Sequence, residues 1–212
     1  MGSSTILDII GSFIVGGLIL LLTRGMQLGA MENQFVYNSS VNLQINLVTL
    51  TTRMEDDFRK IAYCKNSEIS PPSNAILFAD TSDFRFKGDF NNDGSIDSME
   101  YLLGPQDATS GNSRIRTVVR NYWPTSGTKQ IDSIKLGVTQ LNFQYKTQGT
   151  DSSILVTPVN LNKYAIGMIE LTITLESNNR IVDNANAYVQ DTALYKVYWR
   201  QFRIIGKNLT YR

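Results

Sequence analysis

One uninterrupted apolar run constrains this chain more than any other feature. Residues 9–22 (IIGSFIVGGLILLL) carry no charge, and no proline occurs before Pro71. Further along, apolar residues recur at Val36, Leu43, Leu47, Leu50, Met54, Phe58 and Ile61, in steps of 3, 4 or 7. That spacing lines one face of an α-helix. Residues 5–64 therefore read as a single helix, about 90 Å long at 1.5 Å per residue. Few globular domains of 212 residues hold a helix of that length. Its front half must be covered by something other than its own chain, either lipid or neighbouring subunits.

Three readings compete for the front. A secretory signal peptide needs a basic start and a small-residue cleavage site. Residues 1–8 (MGSSTILD) have neither Lys nor Arg, and no strong cleavage site follows Leu22. A plain membrane anchor is the second reading, since residues 6–22 approach the roughly 20 residues that cross a bilayer. The third is a helix held in the membrane before assembly and in a bundle of like helices afterwards. Asp8 separates the last two. A carboxylate near the end of a lipid-facing helix is costly unless a partner neutralises it, and in a helical stack a neighbour's N-terminal amine can do so. Gly11, Gly16 and Gly17 each weaken the helix by about 1 kcal/mol relative to alanine. Their spacing suits close approach of another backbone, although glycine is also simply common in membrane helices.

Beyond Arg24 the helix changes solvent. Leu43, Leu47, Leu50, Met54, Phe58 and Ile61, flanked by Val41, Ile45 and Val48, predict a broad apolar face that packs on a sheet. Asn42, Gln44, Asn46, Thr49, Thr52, Arg53, Asp56 and Lys60 lie on the far face. Pro71 and Pro72 end the helical regime. Thereafter the period is 2. In residues 168–176 (MIELTITLE), Ile169, Leu171, Ile173 and Leu175 face one way, while Glu170, Thr172, Thr174 and Glu176 face the other. Leu141, Phe143 and Tyr145 alternate likewise, and 75–78, 84–86, 99–103, 115–119 and 195–205 are further strand candidates. Half-buried alternation predicts an antiparallel sheet with one face on the core. Residues 178–190 read as a polar surface connection. The expected fold is α+β: a long N-terminal helix packed on an antiparallel β-sheet domain. The expected divisions are 1–30 as membrane or filament-core helix, 31–64 as amphipathic stem and 65–212 as β-rich head.

Chemistry is thinly represented. Twenty Lys and Arg against 19 Asp and Glu give a net charge of +1, which recruits neither nucleic acid nor an acidic substrate. Histidine is absent, removing the usual general base and metal imidazole. An anchored hydrolase would need a carboxylate pair or a Ser–Lys arrangement, and no motif for either is present; no small-molecule substrate is indicated. Cys64 is the single cysteine, so no internal disulfide forms; it reads as a small buried residue at the helix end, the alternative being a reactive thiol or an intermolecular bridge.

The most specific signal is residues 89–100 (DFNNDGSIDSME). Asp89, Asn91, Asp93, Ser95, Asp97 and Glu100 stand at positions 1, 3, 5, 7, 9 and 12 of this segment, with Gly94 at position 6. Those are the ligand positions of an EF-hand calcium loop, in which position 7 contributes its backbone carbonyl and position 12 two carboxylate oxygens. Strand-like flanks place this loop at the tip of a hairpin. The competing reading is a polar turn with an incidental carboxylate cluster. A structural Ca2+ that stiffens the loop is the expectation.

Three further passages carry a family resemblance. Residues 54–63 (MEDDFRKIAY), 84–102 (FRFKGDFNNDGSIDSMEYL), and the pair 141–145 with 167–175 resemble, together with the N-terminal helix, the type IV pilin and pseudopilin family. In layout they are closest to J-type minor pseudopilins and related minor pilins. In that family a basic leader is cut after glycine and a glutamate stands fifth in the mature chain. Here Thr5 is fifth from Met1, and Asp8 is the acidic residue in its vicinity. The resemblance implies a non-enzymatic structural subunit that polymerises with copies of itself or related pilin subunits through its N-terminal helix. It implies a pool in the cytoplasmic membrane before assembly, and a bacterial or archaeal surface filament after it, serving adhesion, motility, secretion or DNA uptake. The alternative is a membrane-anchored extracytoplasmic binding or adhesion module that does not polymerise. Asn38-Ser39-Ser40 and Asn208-Leu209-Thr210 match a glycan acceptor pattern of low specificity.

Overall fold

The computed structural model describes residues 2–66, 69, 72–147, 153–159, 163–178 and 195–205. Helix α1 spans Gly2–Arg59. Seven strands follow: β1 Ile76–Ala79, β2 Asp83–Gly88, β3 Asp97–Gln106, β4 Arg116–Trp123, β5 Gln130–Thr147, β6 Ile166–Glu176 and β7 Val197–Ile205. They form one antiparallel sheet in the order β1-β2-β3-β4-β5-β6-β7, each strand pairing with the next in the chain. The layout is the α+β arrangement expected. Every strand candidate in the sequence falls on one of these strands. The polar connection 178–190 lies outside the described residues after Asn178, as does the Asn208 triplet.

The chain divides into two compact units, Met1–Val41 and Asn42–Arg212. In the first, the large apolar side chains from Ile6 to Phe35 are exposed: Phe13 is 78% exposed and Leu22 69%. Ser12 Oγ donates to the Asp8 carbonyl at 2.8 Å, and Thr23 Oγ1 to the Ile19 carbonyl at 2.8 Å. Hydroxyls that bond back into their own helix carry little cost in an apolar surrounding. The helix is long and apolar enough to cross a membrane by length and composition.

In the second unit, the last turns of α1 lie on the sheet. Leu43, Leu47, Leu50, Met54 and Phe58 are buried, with Ile61 just beyond the helix. They meet Phe84, Phe86, Met99, Tyr101, Leu141, Phe143, Tyr145, Ile169, Leu171, Ile173 and Leu175 from the sheet. Phe58 is the centre. Its ring stands edge-on to those of Phe86 at 5.2 Å, Tyr101 at 5.5 Å and Phe84 at 5.8 Å, an arrangement favoured by the ring quadrupoles.

Two expectations need correcting. The helix stops at Arg59 rather than Cys64. Lys60 and Ile61 donate to the carbonyls of Asp57 and Phe58 in a tightened last turn, and Ala62 takes φ 60°, so its N–H leaves the helix for the Lys87 carbonyl. The apolar face is also narrower than its composition indicated. Ile45 is 56% exposed and Val48 54%, because the stripe that meets the sheet follows the 43-47-50-54-58 row alone.

Candidate functional site

The acidic segment 89–100 is the turn and first part of the β2–β3 hairpin. Its front is curled by its own side chains. Asp89 Oδ2 accepts the Gly94 N–H at 3.0 Å. Asn91 Oδ1 accepts the Asp93 N–H at 3.1 Å, and Asp93 Oδ1 accepts the Ser95 N–H at 2.7 Å. Short side chains at alternate positions thus each take a backbone donor further along the loop, the usual behaviour of Asp and Asn in turns. Gly94 has φ +86°, a left-handed conformation that favours glycine. A Cβ there would also lie 2.0 Å from the Asn66 amide nitrogen. The Ser95 N–H and Asn91 hold the Asp93 carboxyl below its ordinary pKa.

The loop rests on the chain that leaves α1. Tyr63 accepts the Asp89 N–H at 2.8 Å, and Lys60 Nζ donates to the Phe90 carbonyl at 2.6 Å. The Cys64 thiol reaches the Gly94 carbonyl at 3.4 Å, and the Lys65 N–H donates to Asp89 Oδ2 at 3.3 Å. Gly88 makes this approach feasible: a Cβ on it would sit 2.1 Å from the Lys60 carbonyl oxygen. Cys64 is half-buried at this junction.

Asp89 bears on whether these residues fit a cation. Its carboxylate is fully buried, yet Oδ1 has no hydrogen-bond partner. An orphaned carboxylate oxygen beside a curled turn is an unmet demand for positive charge. Asp93 and the Asn91 amide are the other loop side chains at hand, and Asn91 Nδ2 now donates to Asp93 Oδ2 at 2.7 Å, a bond that a cation would replace. Among the described residues, no three acidic, thiol or imidazole groups gather for a metal. A cation here would rest on two carboxylates supplemented by amide and carbonyl oxygens. That hard-oxygen set suits Ca2+.

The rear of the segment is engaged elsewhere. Asp97 accepts from the Tyr122 hydroxyl and the Thr125 N–H, both at 2.8 Å. Glu100, 3% exposed, is held by Arg85 through Nε at 2.8 Å and by Asn121 Nδ2 at 2.5 Å. Asn91, Asp93 and Ser95 are thus linked to one another, with Asp89 bonded to Gly94 in the same turn, while Asp97 and Glu100 belong to the strand ladder. Spacing alone does not reveal this, because Arg85 and Asn121 reach Glu100 only through the register Arg85↔Glu100↔Asn121.

The residues expected to serve assembly lie on the first unit. Asp8, Ser12, Gly16 and Gly17 line one shallow groove along the helix with Ile9, Phe13 and Leu20. Gly11 is not among its lining residues. Nothing lies within 4 Å of where a Cβ would stand on Gly11, Gly16 or Gly17, so the helix surface is indented and open there. No protein-family model and no curated protein sequence matches this chain.

Proposed function

We propose that this chain is the structural subunit of a filament of the type IV pilus or pseudopilus kind. The observation that supports it is the N-terminal unit: a helix apolar enough for a bilayer, with its large apolar side chains exposed. Met26, Leu28, Met31 and Phe35 remain 49% or more exposed, although residues 6–25 already supply the roughly 20 residues that a bilayer covers. Neighbouring helices would cover both groups at once. The head would coat the outside, with the polymer at the cell surface and a precursor pool in the cytoplasmic membrane.

Transfer from lipid to a helix bundle gains little from the hydrophobic effect, because lipid already satisfies the same side chains. The net driving force is packing, charge pairing and mass action. Gly16 and Gly17 would admit a neighbouring backbone, and Asp8, in the same groove, would pair with a neighbour's amine. Ca2+ at Asp89, Asn91, Asp93 and the Ser95 carbonyl would brace the β2–β3 turn against the end of α1. No step in this role requires catalysis.

Electron microscopy of material sheared from cells tests the reading. Filaments containing the chain are expected, and Asp8→Asn should reduce their yield at least tenfold while the melting temperature of the head is unchanged. A chain that stays a lipid-bound monomer under all conditions would instead be an anchored binding module.

A further inference from the structure

The sheet has a second face, opposite the core, and on β5–β7 it is unusual. Ile169, Leu171, Ile173 and Leu175 of β6 are fully buried on the core side, so Thr172 and Thr174 point away from it. Directly paired residues share a face. The register Gln140↔Thr174↔Trp199 therefore makes one cross-strand row, and Asn142↔Thr172↔Gln201 the next. The rows are about 7 Å apart, and the strands about 4.8 Å. On the other side of β7, Arg200 reaches back to Thr51 and Glu55 on α1, which fixes Trp199 on the outward face. Its indole is 66% exposed.

The two rows hold amides, hydroxyls and one indole, and no charge. Two carboxylates flank the rows on the same side of β6, and both are engaged: Glu170 by Lys146 and the Gln201 amide, with Arg203 at 3.7 Å, and Glu176 by Arg114 and the Asn112 amide, each at 2.9 Å. The Thr174 hydroxyl makes only a long bond of 3.4 Å to Gln140 Oε1, and the Gln201 side chain, exposed, keeps its amide oxygen free of the Glu170 contact. The face thus offers a flat aromatic surface beside a neutral lattice of donors and acceptors with hydrogen-bonding capacity to spare. An anionic polymer finds no cluster of free cations in these rows, and an aliphatic surface would strand the amides. A sugar ring matches both halves: its C–H face lies on an indole, and its hydroxyls pair with amides and threonines.

We infer that this face is a binding site for an uncharged oligosaccharide, with Trp199 as the stacking platform and Thr172, Thr174 and Gln201 as the polar contacts. The site does not depend on whether the chain polymerises. It is a surface of the β domain and acts equally on an anchored monomer.

The test uses the full chain in lipid nanodiscs, which avoids sugar-based detergents, against an array of neutral and anionic oligosaccharides. Selective binding of neutral glycans is expected. Trp199→Ala should weaken it at least tenfold, and Thr172→Val with Gln201→Ala should weaken it severalfold. Trp123→Phe, on a different part of the sheet, should leave it unchanged. Trp199→Ala removes no core contact, so an unaltered melting curve will show that the variant is folded. Absence of neutral-glycan binding at millimolar concentration, or binding indifferent to Trp199→Ala, overturns the inference. So does analytical ultracentrifugation showing that the same substitution dissolves a homodimer, which would make the face an interface between copies.

Discussion

Asp57 on α1 and Arg120 on β4 form a two-pronged ion pair, with Nε 2.8 Å from Oδ2 and NH2 3.2 Å from Oδ1. Each side chain is only 14% exposed, and the buried Tyr101 hydroxyl donates to the same carboxylate. Burial, and then the neighbouring Asp57 charge, push the Tyr101 pKa well above its ordinary value, so that this hydroxyl stays a donor throughout the working range. The pair ties the end of the helix to the centre of the sheet. Asp57→Asn would leave the guanidinium only the longer, half-exposed contact of NH1 with Asp132 at 3.5 Å, a loss of about 3 kcal/mol and a fall in melting temperature of about 6–12 °C. Replacing both partners by Leu and Met should recover part of it, as thermal denaturation of the double variant would show. A double variant no better than Asp57→Asn would count against the stranded-charge explanation.

The two periodicities made the architecture readable. Residues 43-47-50-54-58 declare a helix face, and Ile169 to Leu175 declare a strand with one side buried, because both patterns are local. The strand register is not local. Hence the Asp57–Arg120 pair was invisible in the sequence although Asp57 and Arg120 are both plain in it, and Glu100 looked like the closing member of a loop when its partners stand on β2 and β4. The front of the acidic loop was legible because Asp89, Asn91, Asp93 and Gly94 act within a few residues of one another. The outer face of β5–β7 was legible only as polar, since nothing in the spacing puts Trp199 beside Thr174.

Phe58 and Ile45 lie on the same helix and should respond differently. Phe58 is 1% exposed among four rings. Phe58→Ala should cost about 3–5 kcal/mol through lost burial and the cavity left behind. Ile45→Thr exchanges an exposed side chain and should change stability by less than about 0.5 kcal/mol. Urea denaturation of the two variants distinguishes them. A cost above 1 kcal/mol at Ile45 would mean that this face is covered by the chain's own head.

Calcium should act through Asp89 and not through Glu100. With free Ca2+ at about 100 times its dissociation constant, the melting transition should gain about 2.7 kcal/mol over chelator-treated protein. Asp89→Ala should abolish the gain by removing the buried oxygen that lacks a partner. Glu100→Gln should lower stability by loosening the Arg85 and Asn121 contacts yet leave the calcium-dependent increment intact. Calorimetry on the three proteins with and without chelator reads this directly. A Glu100→Gln chain that loses the increment would restore the full twelve-residue loop.

Asp83 supplies a pH dependence opposite to that of most carboxylates. Burial, and then the Glu100 charge, push its pKa from 3.8 up to about 6, with Arg85 opposing and Asp80 adding to the rise. Its Oδ1 is buried without a hydrogen-bond partner, so ionisation there is poorly supported. The folded state therefore holds the proton more tightly than the unfolded chain. The contribution is fully present below about pH 4, declines as pH rises through 6, and is absent above it. Solvent reaches part of the side chain, which limits the effect to about 1 kcal/mol. Asp83→Asn should remove this term, raising the melting temperature by about 2–4 °C at pH 7.5 and changing it little at pH 4. Equal shifts at the two pH values would show that Asp83 is already neutral, or already satisfied, in the folded head.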